Sequence, residues 1–124
     1  MDTNTIVENS RTQMRRGVLE YSILLVLRSG DEYASSIIQK LKDVDIIVVE
    51  GTLYPLLIRL KNLGLLGYRW EESPQGPPRK YYMITDKGRE QLNELDATWT
   101  ELVRSIETIR NNAMLIGQGT DSNL

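Results

Sequence analysis

The sequence predicts a mainly α-helical protein with one small β-hairpin and a long C-terminal helix. Three observations carry this. Apolar residues recur at steps of three and four through residues 33–44, 50–63 and 85–116, the period of helices with one buried face. Residues 66–71 and 79–84 instead read as strands, the first alternating by residue, and they flank a segment holding Pro74, Gly76, Pro77 and Pro78. The seam Leu92, Leu95, Trp99, Leu102, Ile106, Ile109 and Ala113 keeps its three-four alternation over three heptads.

In chain order, Ile6, Val7 and Met14 punctuate a polar stretch and predict a short amphipathic helix over residues 4–14. Residues 17–27 are apolar almost all round, as in a helix covered on several sides, and a chain this small has little mass to cover it alone. Gly30 is expected to stop that helix and Asp31 to open a turn. Ala34, Ile37, Ile38 and Leu41 mark one stripe of a second helix over residues 33–44. Ile46, Ile47, Val48 and Val49 favour a short strand, followed by a turn at Glu50 and Gly51.

A third helix then begins near Glu50 to Thr52, with Leu53, Leu56, Leu57, Leu60 and Leu63 on one face and Gly64 as its cap. Pro55 lacks an amide hydrogen and is expected close to that start, where donors are unpaired. The proline-rich tip of the hairpin, residues 73–78, predicts a stiff projection in place of a tight two-residue turn. Thr85 is expected to cap the last helix, with Asp86 in its first turn complementing the dipole. Residues 117–124 are rich in Gly, Ser, Thr and Asn and read as a disordered tail.

Composition narrows the function. With 124 residues, 40% hydrophobic and 26% charged, the chain suits one globular domain. It has no Cys and no His, so disulfides, an imidazole base, a Ser-His-Asp triad and an ordinary zinc site are excluded. Its carboxylates, Lys and Tyr stand beside no Gly-rich loop or nucleophile elbow, so no catalytic residue, metal or cofactor is expected. There is no apolar run of about 18 residues, and Asp2, Glu8, Arg11, Arg15, Arg16 and Glu20 break up the N-terminal region; the reading is cytoplasmic, with no membrane partner. Net charge is -2, yet unevenly spread. Between positions 52 and 82, Arg59, Lys61, Arg69, Arg79 and Lys80 oppose Glu71 and Glu72, whereas acids outnumber bases from position 86 to 121. A basic middle and an acidic tail suit a polyanion-binding module joined to a segment with another task.

The order helix, helix, strand, helix, hairpin is that of a winged helix-turn-helix, whose third helix enters the major groove while the hairpin wing touches the flanking backbone. The organisation expected is a winged domain with an N-terminal helix over residues 1–84, a C-terminal dimerisation helix over 85–116, and the tail. Gly51-Thr52-Leu53-Tyr54-Pro55, Arg59-Leu60, Gly64-Leu65, Gly76-Pro77-Pro78-Arg79-Lys80-Tyr81-Tyr82 and Thr85-Asp86-Lys87-Gly88 together resemble the PadR family across roughly residues 15–105. The resemblance implies a transcriptional repressor that grips double-stranded DNA at an inverted-repeat operator as a homodimer and releases it when a small aromatic effector binds. The single C-terminal helix matches the family's short branch. Gly30-Asp31 stands where the family often has Gly-Pro, and Ala34 where it often has Gly.

The DNA-contact candidates are Ser35 and Ser36 at the second helix, Thr52, Tyr54 and Lys61 on the third, and Arg79 and Lys80 on the wing. Ser35, Ser36 and Thr52 could instead cap helices, Tyr54 could pack, Arg59 could pair internally with an acid, and the wing cations could simply be solvated. Strand alternation splits Tyr81 from Tyr82, and Trp70 is expected to pack in the wing or core. Leu92, Leu95, Trp99, Leu102, Ile106 and Ile109 are the dimerisation candidates. Trp99 is either an aromatic dimer anchor or, as the resemblance implies, a platform for the effector. Two other classes stay open: a winged-helix protein-interaction module, and a ligand-binding dimer without specific DNA binding.

Overall fold

The computed structural model describes residues 2–117, with side chains described through residue 112. Its elements are α1 (Thr3–Arg28), α2 (Ala34–Lys42), α3 (Glu50–Asn62), β1 (Leu66–Ser73), β2 (Gly76–Ile84) and α4 (Asp86–Gly117). They fall into two units, Met1–Leu92 and Asn93–Leu124. The fold is the mainly helical, winged arrangement expected. The expected tail lies, from residue 118 on, outside the described residues.

In the first unit, Leu19, Ile23, Leu24 and Leu27 of α1 are buried, as are Ile37 and Leu41 of α2 and Leu53, Leu57 and Leu60 of α3. Leu66, Tyr82 and Ile84 of the hairpin and Leu92 of α4 are buried in the same unit. Each such aliphatic side chain contributes about 1.5–3 kcal/mol by leaving water. Apart from the Tyr82 phenol this core is apolar, and among the described residues no buried side-chain nitrogen or oxygen lacks a hydrogen-bond partner.

Four local expectations are corrected. The two N-terminal helices are one, running through Gly17, with the Asp2 carboxylate accepting the Thr5 N–H at 2.8 Å as its cap. The ordinary helix cost of Gly17, about 1 kcal/mol, is outweighed by an unbroken backbone ladder on both sides. Residues 46–49 form no strand, because no strand lies beside them to receive their hydrogen bonds. The segment instead leaves α2 through a left-handed Asp45 (φ 65°), with the Ile46 N–H donating to the Leu41 carbonyl at 2.9 Å. The extra sheet pairing comes from Glu32, which exchanges two backbone hydrogen bonds with Tyr82 at 2.9 and 3.1 Å.

Pro55 is the sixth residue of α3, beyond the first turn, and so supplies no amide hydrogen to the carbonyl of Gly51. Gly51 is exposed, which leaves that carbonyl to water. The hairpin tip is, against expectation, a two-residue turn: Ser73 pairs with Gly76 around Pro74 and Gln75. Glu71 pairs with Arg79, so β2 carries one residue more than β1 between these pairs. The resulting bulge holds Pro77 and Pro78, whose missing amide hydrogens the ladder does not need there.

One junction ties α3, the wing and α4 together. Gly64 (φ 80°) ends α3 in the left-handed region, and the Leu65 N–H donates back to the Leu60 carbonyl at 3.0 Å. The Thr85 hydroxyl donates to the Gly64 carbonyl at 2.6 Å and accepts the Gly88 N–H at 3.0 Å, so it caps α4, as expected, while fastening it to the end of α3. Lys87 adds a hydrogen bond to the Leu63 carbonyl at 2.9 Å. Gly88 has to be glycine: a Cβ there would stand 2.2 Å from the Leu65 oxygen.

The second unit holds the rest of α4, where Trp99, Leu102, Val103, Ile106 and Ile109 are exposed and Leu95 is half-buried. Leu92 differs from the other seam candidates, since it is buried in the first unit and is thereby removed from any surface open to a partner.

Candidate nucleic-acid interface

A groove of about 550 Å³ opens between the start of α2, one face of α3 and the wing. Its walls include Ser35, Glu50, Tyr54, Ile58, Trp70, Arg79 and Lys80. The helical period delivers the α3 side: Leu53, Leu57 and Leu60 turn inward, which leaves Glu50, Tyr54 and Ile58 on the flank next to that buried face. On the wing side, strand alternation sets Tyr68, Trp70, Lys80 and Tyr82 on one face and Arg69, Glu71, Arg79 and Tyr81 on the other, and Arg79 joins the groove wall from that second face beside Tyr33.

The wing cations rest on aromatic rings. The Lys80 ammonium lies 4.3 Å from the centroid of Tyr68 and 5.3 Å from that of Trp70, and Lys61 reaches the Tyr68 ring at 5.5 Å. Arg79 lies 4.8 Å over Tyr33, whose ring meets Tyr81 at 4.0 Å, and Arg69 covers Tyr81 at 4.8 Å. Such contacts hold a cation in place without neutralising it, so the positive charge remains available to an anion. Arg69 is the exception, paired with Asp31 and Glu71; the Asp31 hydrogen bond holds its guanidinium above its ordinary pKa. The hydrogen bond with Tyr33 pushes the Tyr81 phenol up to about 12, and burial raises that of Tyr82.

The sequence candidates separate. Ser35, Tyr54, Arg79 and Lys80 meet in the groove. Lys61 borders a smaller adjoining hollow of about 110 Å³ with Tyr68 and Lys80. The Ser36 hydroxyl is turned back to the Tyr33 carbonyl at 3.0 Å, a local bond at the start of α2. Thr52 lies elsewhere: it lines a depression of about 170 Å³ with Thr12, Arg15 and Arg16, and its hydroxyl makes no hydrogen bond among the described residues, so it does not cap α3. Arg59 pairs with Glu20, as its internal alternative required. Trp70 is exposed on the wing, edge-on to Tyr68, and takes no part in the core. Sequence reasoning missed Tyr33, Glu50, Ile58 and Tyr68 as groove or ring residues. The signal for Tyr68 was present in the strand register, whereas Tyr33 depends on a tertiary contact.

The Transcriptional regulator PadR-like family matches residues 23–94, more than half of the chain. The chain belongs to this family. Among solved structures, a PadR-like transcription factor from Bacteroides fragilis is 59% identical, covering 82% of this chain and 98% of its own, with a TM-score of 0.70. A PadR family transcriptional regulator from Eggerthella lenta is 36% identical over 88% of this chain and 92% of its own, with a TM-score of 0.77. PadR of Bacillus subtilis, solved in complex with operator DNA, is 27% identical over 63% of this chain and 46% of its own, with a TM-score of 0.58. The matched span takes in the end of α1, then α2, α3, the wing and the junction at Gly88. No helix among the described residues is long and apolar enough to cross a membrane.

Proposed function

We propose that this PadR-like protein acts in the cytoplasm as a homodimeric repressor that binds an inverted-repeat operator and leaves it when a small aromatic molecule binds. One observation carries the DNA reading: Ser35, Tyr54, Arg79 and Lys80, from three separate elements, line one groove. Tyr54 on α3 would face base edges in the major groove, while Arg79, Lys80 and Lys61 would meet phosphates and Ser35 would support them from α2, joined by Ser36 once its hydroxyl turns from the Tyr33 carbonyl. Thr52, set apart near Arg15 and Arg16, would take a backbone contact on the other flank of α3. That a Bacillus subtilis relative was solved in complex with operator DNA supports DNA as the ligand.

Dimerisation would use the second unit, where Trp99, Leu102, Val103, Ile106 and Ile109 form a run of exposed apolar residues, bordered by Leu95. The division of labour is thus a winged DNA-binding part, residues 1–84, and a dimerisation helix, residues 85–116. Trp99, 44% exposed, would offer its ring to a planar effector. The test is a gel-shift titration on the protein's own promoter region across salt. With 6 to 10 phosphates neutralised, affinity falls by about three to five decades between 50 and 200 mM salt. A promoter fragment that shows no specific shift at any salt refutes the reading. Quenching of Trp99 fluorescence by planar aromatics, lost in Trp99→Ala, tests the effector.

A further inference from the structure

Glu50, Tyr54 and Ile58 stand four residues apart on α3 and share one stripe of the groove wall. Tyr54 and Ile58 carry no charge at neutral pH. Glu50 does, and it is the one carboxylate among the groove's described lining residues. A carboxylate turned toward a polyanion is repelled unless it has a donor to accept from. Within the chain it has none: among the described residues Glu50 makes no ion pair or hydrogen bond. The two cations of the same groove lie against rings instead, Arg79 on Tyr33 and Lys80 on Tyr68 and Trp70.

Duplex DNA offers a suitable donor on the edge that α3 would face. Cytosine presents its N4 amino group in the major groove, whereas guanine and thymine present acceptors that repel a carboxylate. Adenine has an amino donor too, but its N7 acceptor lies beside it and disfavours a group that only accepts. We propose that Glu50 is a specificity-determining residue, accepting a hydrogen bond from one cytosine in each operator half and rejecting other bases there. The inference rests on the DNA-binding reading above.

The test is selection from a random duplex pool on the full-length protein, on Glu50→Ala and on Glu50→Gln, followed by titration of the selected duplexes. The wild type is expected to select a cytosine in each half. Glu50→Ala is expected to lose preference at that position alone, with discrimination falling by about 5- to 150-fold, the value of one base contact. Glu50→Gln, which is isosteric and keeps α3 intact, is expected to move the preference to adenine, because an amide both donates and accepts. Should both variants keep the wild-type motif and bind every duplex more tightly, Glu50 merely repels phosphate and the proposal is overturned. A wild type that selects no motif at all refutes the DNA-binding reading itself, and the role of Glu50 falls with it.

Discussion

Replacing Gly88 by Ala tests whether the junction of α3, wing and α4 is as tight as its geometry indicates. The new Cβ would lie 2.2 Å from the Leu65 oxygen and 2.7 Å from Cγ1 of Ile84, against a floor near 3.0 Å for real contacts. The Leu65 carbonyl would have to retreat by about 0.8 Å to reach that floor. That same carbonyl accepts the Thr85 N–H at 3.0 Å, the bond that sets where the wing ends and α4 starts. Overpacking costs about 1–3 kcal/mol and the weakened hydrogen bond about 1 kcal/mol, while Ala gains about 1 kcal/mol over Gly in helix propensity. The net loss is about 1–3 kcal/mol, which lowers the melting midpoint by about 4–12 °C at roughly 4 °C per kcal/mol. Gly17→Ala is the control: inside α1, with nothing within 4 Å of the new Cβ, it gains about 0.5–1 kcal/mol. Both are read by calorimetry at equal protein concentration. A Gly88→Ala midpoint within about 2 °C of the wild type would refute the packing argument.

Further outcomes are expected. Lys61→Ala, Arg79→Ala and Lys80→Ala each weaken DNA binding to nearly the same degree for all sequences and reduce the salt slope by about 1, as measured by titration at several salt concentrations. Glutamates at Leu102 and Ile106 yield monomers by sedimentation that no longer shift DNA, and a double variant that stays dimeric contradicts the α4 assignment. The Tyr81 phenol, raised above its ordinary value of 10.0 to about 12, contributes stability that is present below pH 10 and lost as pH rises toward 12. Tyr33→Phe removes the hydrogen bond that causes this, so tyrosinate absorbance should appear at lower pH and the alkaline loss of stability should shrink. Glu20→Ala leaves the melting midpoint nearly unchanged, because its ion pair with Arg59 is solvent-exposed and worth about 0–1 kcal/mol.

Features that depend on local period and on single-residue chemistry were legible in the residues alone. Leu53, Leu57 and Leu60 announced the buried face of α3 because a helix brings such positions together whatever surrounds it. Gly64 and Thr85 announced their caps because left-handed backbone and free amides select those residue types. Tertiary structure decided what depends on partners distant in the chain. Residues 46–49 have strand composition, yet no neighbouring strand reaches them, while Glu32, with no such signature, pairs with Tyr82. Leu92 and Trp99 look alike on one heptad seam, but the first is buried in the winged unit and the second is exposed. Glu50 and Tyr33 entered the groove only when the wing came to lie beside α3 and the start of α2. Periodicity is a property of one element, whereas burial, pairing and a shared groove require two, and a second element hundreds of atoms away leaves no mark on the local pattern.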